Sequence, residues 1–293
     1  MILSQTTTCA VKFGNEKAIE LIAKAGFDAV DFSMHDLQND NSILLSASFK
    51  SYVEMLCEVA ERNNVFFNQG HAVSYIYHQD KEIARRLLIE RNIRALEIAG
   101  LMGIKTLVIH PVESGDYIGR EQYVFEENVK YFNALLPYAH KYGVRLACEN
   151  MWCGDKAKGV RTGSVCSNPY EHAYYVDAVA DEMLVACLDV GHSSIAGRQA
   201  QDCIRVLGKR LGALHIHDND YLDDMHTLPG LSEMNWDEIT KALAQVDYRG
   251  DFTLETDHFF DSLCTIEETE CGLRLAAMIG RKMISKIEGY KAL

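Results

Sequence analysis

The residues able to do chemistry in this sequence recur at one kind of place, the end of a short β-rich run. "FFNQGHA" runs out at His71, "TLVIHPV" at His110 and "RLACENMW" at Glu149. "LVACLDVGHSS" reaches Asp189 with His192 three residues on. "ALHIHDND" carries His215, His217 and Asp218, with Asp224 and His226 beyond, and "DFTLETDH" ends at Glu255, followed by Asp257 and His258. Each alone has an ordinary structural explanation. A strand-end histidine more often bonds to its neighbours than to a ligand, an aspartate there caps the next turn, and Glu149 could pair with a cation across the strand ends. Six consecutive strands delivering His, Asp or Glu to the same end change that balance. Carboxylates crowded together repel and shift one another's pKa unless a cation sits among them. A divalent metal resolves the conflict: Mn²⁺, Mg²⁺ or Co²⁺ where carboxylates dominate, Zn²⁺ where histidines do. Residues two apart on a strand face the same way, so His215 and His217 could both point into such a site.

The elements that must position these groups follow from periodicity. Strands are expected at Ile2–Thr7, Ala29–Ser33, Val65–Gln69, Thr106–His110, Arg145–Glu149, Leu184–Asp189, Ala213–His217 and Phe252–Glu255. Helices are expected between them, at Asn15–Ala25, Phe49–Asn63, Lys81–Met102, Glu126–Tyr142, Asn168–Ala180, Ala200–Lys209, Trp236–Gln245 and Thr265–Lys286, each with apolar residues at helical spacing. Gly26, Gly103, Gly143 and Gly250 stand just before strands, where a left-handed C-cap belongs. The glycine-rich stretch from Gly154 to Ser167 reads as a lid over the site. Eight strand–helix units in 293 residues, with no linker and no GxGxxG turn after the first strand, predict an α/β fold: a single (β/α)₈ TIM barrel spanning 1–293. Catalytic groups in such barrels come from the C-terminal strand ends, where these residues fall.

Composition narrows the function classes. Forty-two acidic residues against 29 Lys and Arg give a formal charge of −13, which argues against a nucleic-acid partner. Nine cysteines, odd in number and without a CxxC pair, offer neither a zinc knuckle nor a thioredoxin-like motif. Most, such as Cys57, Cys148 and Cys187, read as small buried thiols in a reducing cytoplasm. The opening "MILSQTTTCAVKFGNEK" lacks a secretory pattern. Apolar runs such as "TLVIH" are strand-sized, far below the ~20 residues of a membrane span.

In "ENMW", "LDVGH", "HIHDND" with a later His and Pro-Gly, the Trp of "MNWDEI", and "LETDH", in this order, the chain resembles the xylose-isomerase-like TIM-barrel superfamily over nearly its whole length. That group holds sugar phosphate isomerases and epimerases and endonuclease IV. Resemblance to its ketose 3-epimerases implies one divalent metal on Glu149, Asp189, His215 and Glu255, with the two glutamates also serving as the acid–base pair. It makes His215 the ligand and leaves His217 to support or packing. His192 would contact substrate oxygen. An arginine expected six residues past the strand-seven histidine is Tyr221 here, and a glutamate expected six residues after Glu149 is Asp155, which puts the substrate in doubt. Endonuclease IV binds three zinc ions through nine ligands, and His71, His110, Glu149, Asp189, His192, His215, Asp224, His226 and Glu255 occur in that order. The flanks depart: "DVGH" stands for Asp-Thr-Cys-His, "HIHDND" for His-Leu-Asn-Asp, and the Arg-x-Asp-Arg-His run is missing.

The resemblance therefore implies a cytoplasmic metal-dependent isomerase of carbohydrate metabolism, acting on a sugar or polyol. One of Glu149 and Glu255 would take a proton beside a carbonyl to give an enediolate, and the other would return it. His71, His110 and His192 would hold hydroxyls, and Trp152 would offer an apolar wall. The alternatives are a trinuclear-zinc phosphodiesterase like endonuclease IV, a metal-dependent dehydratase or C–C lyase on a sugar-like or inositol-like ring, and a sugar-binding protein without activity. Relatives of this kind are often homodimers or homotetramers.

Overall fold

A computed structural model of the chain describes residues 1–112, 117–155 and 159–292. Eight parallel strands make one sheet: β1 Leu3–Thr6, β2 Ala29–Ser33, β3 Phe66–His71, β4 Thr106–Ile109, β5 Arg145–Glu149, β8 Leu184–Asp189, β9 Leu211–His215 and β10 Phe252–Leu254, in the order β10-β1-β2-β3-β4-β5-β8-β9. The sheet closes where Ile216 bridges Leu254: the Ile216 N–H donates to the Thr253 carbonyl at 2.9 Å, and the Glu255 N–H to the Ile216 carbonyl at 3.1 Å. The fold is the expected (β/α)₈ TIM barrel. No described helix is long and apolar enough to cross a membrane.

Helices α1 Asn15–Lys24, α2 Phe49–Arg62, α3 Lys81–Met102, α4 Glu121–Tyr142, α5 Pro169–Val179, α7 Ala200–Leu207, α8 Trp236–Gln245 and α10 Ile266–Lys291 cover the outside. Their inward faces carry the core. In α7, Ala200, Cys203, Ile204 and Leu207 are buried at spacings of three and four, and each fully buried Ile or Leu contributes about 1.5–3 kcal/mol. Local signals fix the ends. Asp80 accepts from the Glu82 and Ile83 N–H groups to start α3, Gly103 ends it in the left-handed region, and Thr265 with Glu268 forms a capping box for α10. Gly250 has another role: a Cβ there would lie 2.2 Å from the Tyr248 hydroxyl, so close approach excludes a side chain.

Two short helices follow strands directly, α6 Val190–Ile195 and α9 Asp257–Asp261. The stretch expected as a lid begins as an antiparallel hairpin, β6 Trp152–Asp155 with β7 Val160–Gly163; residues 156–158, at its tip, lie outside the described residues. Strand β9 ends two residues earlier than expected, so His217 stands beyond the strand and not on it.

Inside the barrel the lining is uneven. Val108, Ala147, Cys187 and Ala213 form a small apolar layer on β4, β5, β8 and β9. Opposite them the interior is polar. Asn68 donates to Ser4 Oγ at 3.0 Å and Ser4 to Thr253 at 2.9 Å, and Gln69 reaches Asp31 at 3.3 Å. A bulge between Val30 and Asp31 shifts the β2–β3 register, so Asp31 pairs with Gln69 and Ser33 with His71.

Candidate metal centre

The strand register brings the polar ends together: Asp189 pairs directly with His215, and Glu149 with Cys187. Glu149 is the hub. Its Oε1 lies 2.8 Å from His215 Nδ1, and its Oε2 lies 2.9 Å from His110 Nε2 and 3.4 Å from His71 Nε2. Glu255, one residue past β10, approaches the same His215 Nδ1 at 3.1 Å. Asp189 caps α6, accepting from the His192 N–H at 2.7 Å, while its carboxylate meets His217 Nε2 at 3.0 Å. His217 fits there because residue 191 is glycine; a Cβ at Gly191 would fall 1.9 Å from the imidazole. The Gly of "LDVGH" thus has a packing reason.

A second group sits further out. Asp224 faces His226 Nε2 at 3.3 Å and His192 Nε2 at 3.4 Å, and accepts from the Trp152 indole N–H at 2.9 Å. His226 also meets Asp257 at 2.9 Å and stacks on His217 with centroids 4.0 Å apart. The backbone of His226 is in the left-handed region, φ 40°, an uncommon state for a non-glycine residue. Asp218 holds this loop in shape. Its carboxylate accepts from the Gly230 N–H at 2.7 Å, the Met234 N–H at 3.1 Å and the Trp236 indole at 2.8 Å. That network accounts for the Asp, Pro-Gly and Trp of the loop without giving them a reactive role.

Three participants escaped the sequence reading. His35, just past β2, bonds through Nε2 to His71 Nδ1, which leaves His71 Nε2 to face Glu149. Asp31 lies 3.6 Å from His215 Nε2, on the ring edge away from the glutamates. Cys187 stands within reach of Glu149 and His215. Only His35 had a legible signal, being a histidine beyond a strand end like the others. The side chain of Asp155 lies outside the described residues.

The electrostatics differ from group to group. Burial raises the Glu149 carboxyl, but His215 and His110 outweigh it and hold the group well below the usual carboxylate range. Burial pushes Glu255 up to about 8, with Glu149 and Asp189 adding to the rise against the opposing pull of His215 and His226. Burial also lowers His71, against the opposing pull of Glu149. His192 goes the other way: burial depresses it, yet Asp189 and Asp224 carry it up to about 10. Asp224 is pushed up by burial and pulled further down by His192 and His226.

The donor set fits a divalent cation. Ligand atoms of His71, His110 and Glu149 lie within 4.8 Å of one another; the same holds for His71, His215 and Glu255, and for His192, Asp224 and His226. Among the described residues, buried His215 Nε2 and Asp31 Oδ1 have no hydrogen-bond partner, but they lie on the ring edge away from the glutamates, so the fit rests on the convergent donors themselves. Beside the outer group a cavity of about 540 Å³ is lined by Trp152, Arg161, Ile195, Tyr221 and Leu222. A larger crevice of about 660 Å³ between α3 and α4 holds none of these groups.

The sequence profile of the xylose isomerase-like TIM barrel family matches residues 19–271. The chain belongs to this family. A D-psicose 3-epimerase of Agrobacterium fabrum is 24% identical over 264 residues, covering 84% of this chain and 80% of that protein. Among solved structures, a D-tagatose 3-epimerase-like protein superposes with a TM-score of 0.75 at 19% identity, covering 99% of both chains. The IolI protein, solved with a bound zinc atom, gives 0.71 at 17% identity over the whole of both chains. At these identities the structural likeness speaks for the fold alone, and the family's barrel is what this chain shares.

Proposed function

We propose that the chain is a divalent-metal-dependent sugar isomerase or epimerase that moves a proton next to a carbonyl through an enediolate, with Glu149 and Glu255 as the acid–base pair. One observation carries this reading: buried Glu149, which ends β5, and Glu255, one residue past β10 and 12% exposed, meet the same His215 nitrogen at 2.8 and 3.1 Å while their carboxyls are pushed in opposite directions. Two carboxyls with diverging pKa values can serve as base and acid in one turnover. Glu149, Asp189, His215 and Glu255 would hold the ion. When bound, the ion supplies a Lewis acid for the carbonyl and a template for the neighbouring hydroxyl.

The chain's own residues do the rest. Ionised Glu149 would take the C–H proton, and protonated Glu255 would return one to the opposite face or the adjacent carbon. His71 and His110, facing Glu149, and His192, facing Asp224, would hold substrate hydroxyls. Trp152 lines the cavity beside them as an apolar wall. A small sugar or polyol fits these fittings, and the relation to a D-psicose 3-epimerase supports a ketose.

The test is exchange of solvent deuterium into a ketose panel by the metal-loaded protein. Glu149→Gln and Glu255→Gln should each lower exchange by at least ~100-fold with thermal stability retained. Full activity in either variant rules out the two-carboxyl mechanism. A second reading has its own observation. The outer trio His192, Asp224 and His226 is a further set of convergent ligands, as a trinuclear-zinc phosphodiesterase would require. Activity with ion count separates the two: ketose exchange without cleavage of abasic DNA supports the isomerase, and cleavage of abasic DNA with about three ions at the strand ends supports the phosphodiesterase.

A further inference from the structure

Immediately before Glu149 begins a second set of metal-binding atoms that the strand-end site does not use. Cys148 lies on β5, Cys166 in the turn between β7 and α5, and His172 on α5. All three are buried, at 0%, 1% and 0% exposure, and their ligand atoms lie within 4.8 Å of one another. The two sulfurs are 3.8 Å apart. A disulfide would bring them to about 2.05 Å, whereas two sulfurs each ~2.3 Å from a tetrahedral ion stand about 3.8 Å apart. His172 supplies an independent observation. Its Nε2 lies 2.8 Å from the Cys148 carbonyl oxygen, which can only accept, so Nε2 carries the proton. In the neutral imidazole Nδ1 then keeps its lone pair, and it is buried with no hydrogen-bond partner among the described residues. A metal-ligating imidazole shows this pattern, one nitrogen donating to a backbone carbonyl and the other free to ligate. The turn is braced as well. Cys166 has φ 61°, its N–H donates to Glu171 at 3.2 Å, and Glu171 accepts from the Tyr117 hydroxyl at 2.9 Å.

We infer that Cys148, Cys166 and His172 form a binding site for a thiophilic divalent cation of the zinc type, separate from the centre at the strand ends. On binding, both thiols release their protons to solvent, and two thiolates with a neutral imidazole offset the 2+ charge. The buried unit is then neutral overall, which avoids the cost of an uncompensated interior charge. Three protein ligands leave the fourth position to a solvent molecule. Such an ion would tie β5 to the turn before α5, one residue from Glu149.

Because the thiols are buried, the cation is best supplied while the chain folds. The full-length protein is produced in cells grown in zinc-poor medium with Co²⁺, purified, and examined for thiolate-to-cobalt charge-transfer absorption in the near ultraviolet. Sulfur ligation gives this band and carboxylate–imidazole ligation does not, so the strand-end site is silent unless Cys187 takes part. The wild-type protein should show the band and hold about one cobalt ion per chain more than Cys166→Ser. Cys166→Ser and Cys148→Ser should each remove about half of the band or more, since each deletes one of two thiolates. Cys187→Ser should keep the band. Absence of the band in the wild-type protein overturns the site, as does a band that survives Cys166→Ser and vanishes in Cys187→Ser. Should Cys166→Ser not fold, the wild-type and Cys187→Ser spectra still decide, because the proposal requires the band in both.

Discussion

The mouth of the barrel is built in two ways. Its inner cluster, His71, His110, Glu149, His215 and Glu255, is carried on strand ends or one residue beyond them. Its outer cluster, His192, Asp224, His226 and Asp257, comes from the short helices and the long loop that follow β8, β9 and β10. In the outer cluster each carboxylate already has imidazole partners: Asp224 lies between His192 and His226, and Asp257 against His226. In the inner cluster two glutamates compete for one nitrogen of His215, and burial drives one of them toward its neutral form. Charge is settled in one group and contested in the other. A cation therefore gains most at the inner cluster, and the outer one serves better to shape and line the entrance.

The largest expected effect separates the clusters by metal affinity. Calorimetric titration of the metal-free protein with Mn²⁺ or Zn²⁺ should show at least ~100-fold weaker binding in Glu149→Gln, which removes the carboxylate that three histidines face. Asp224→Asn should cost about tenfold or less, because it disturbs only groups that steady the inner ligands. Equal losses in the two variants would mean that the clusters act as one metal site.

That contrast also explains what could be read from sequence. Strand-end residues were legible because two periodicities, alternation in strands and 3.6 in helices, fix where a strand stops and which end faces the mouth. Glu149 and Asp189 close strands that begin and end where expected. Sequence order alone could not say that His215 would meet both glutamates while His217 turned to Asp189. That division depends on the β8–β9 register and on the room left by Gly191. Asp31 is illegible for another reason: it acts through His215, and a residue that supports a ligand leaves no motif of its own, whereas His35 carries the same strand-end signal as the other histidines. The hairpin β6–β7 leaves a weak strand signal because each of its strands is only four residues long and carries a glycine.

Both clusters make metal binding and stability depend on pH in the same direction. His192 is carried up to about 10 and Glu255 up to about 8, so the folded, metal-free protein holds these protons more tightly than the unfolded chain does. The stability they contribute is complete below the ordinary values and is lost as pH rises through the raised ones. An ion held by Glu255 displaces its proton, so metal binding grows easier over the same range. The stabilisation on adding metal, read from thermal unfolding, should therefore widen from pH 6.5 to pH 9, by up to about 1.4 kcal/mol per pH unit for each proton displaced. A gain that shrinks with rising pH would show that these groups do not hold their protons in the folded state.

The smallest expected effect lies where the outer cluster meets the cavity. Trp152 donates its indole N–H to Asp224 at 2.9 Å, and its ring carries the Arg161 guanidinium 4.9 Å above it. Trp152→Phe keeps an aromatic wall and removes one hydrogen bond to a charged group, which contributes about 1.5–3 kcal/mol when buried and less at this half-buried site. If the outer cluster only positions substrate, KM for a responsive ketose should rise several-fold while kcat stays within about twofold, because the lost contact serves ground and transition states alike. A fall in kcat of ~100-fold at unchanged KM would instead place Asp224 in the proton transfer, and the division between a reacting inner cluster and a lining outer one would have to be redrawn.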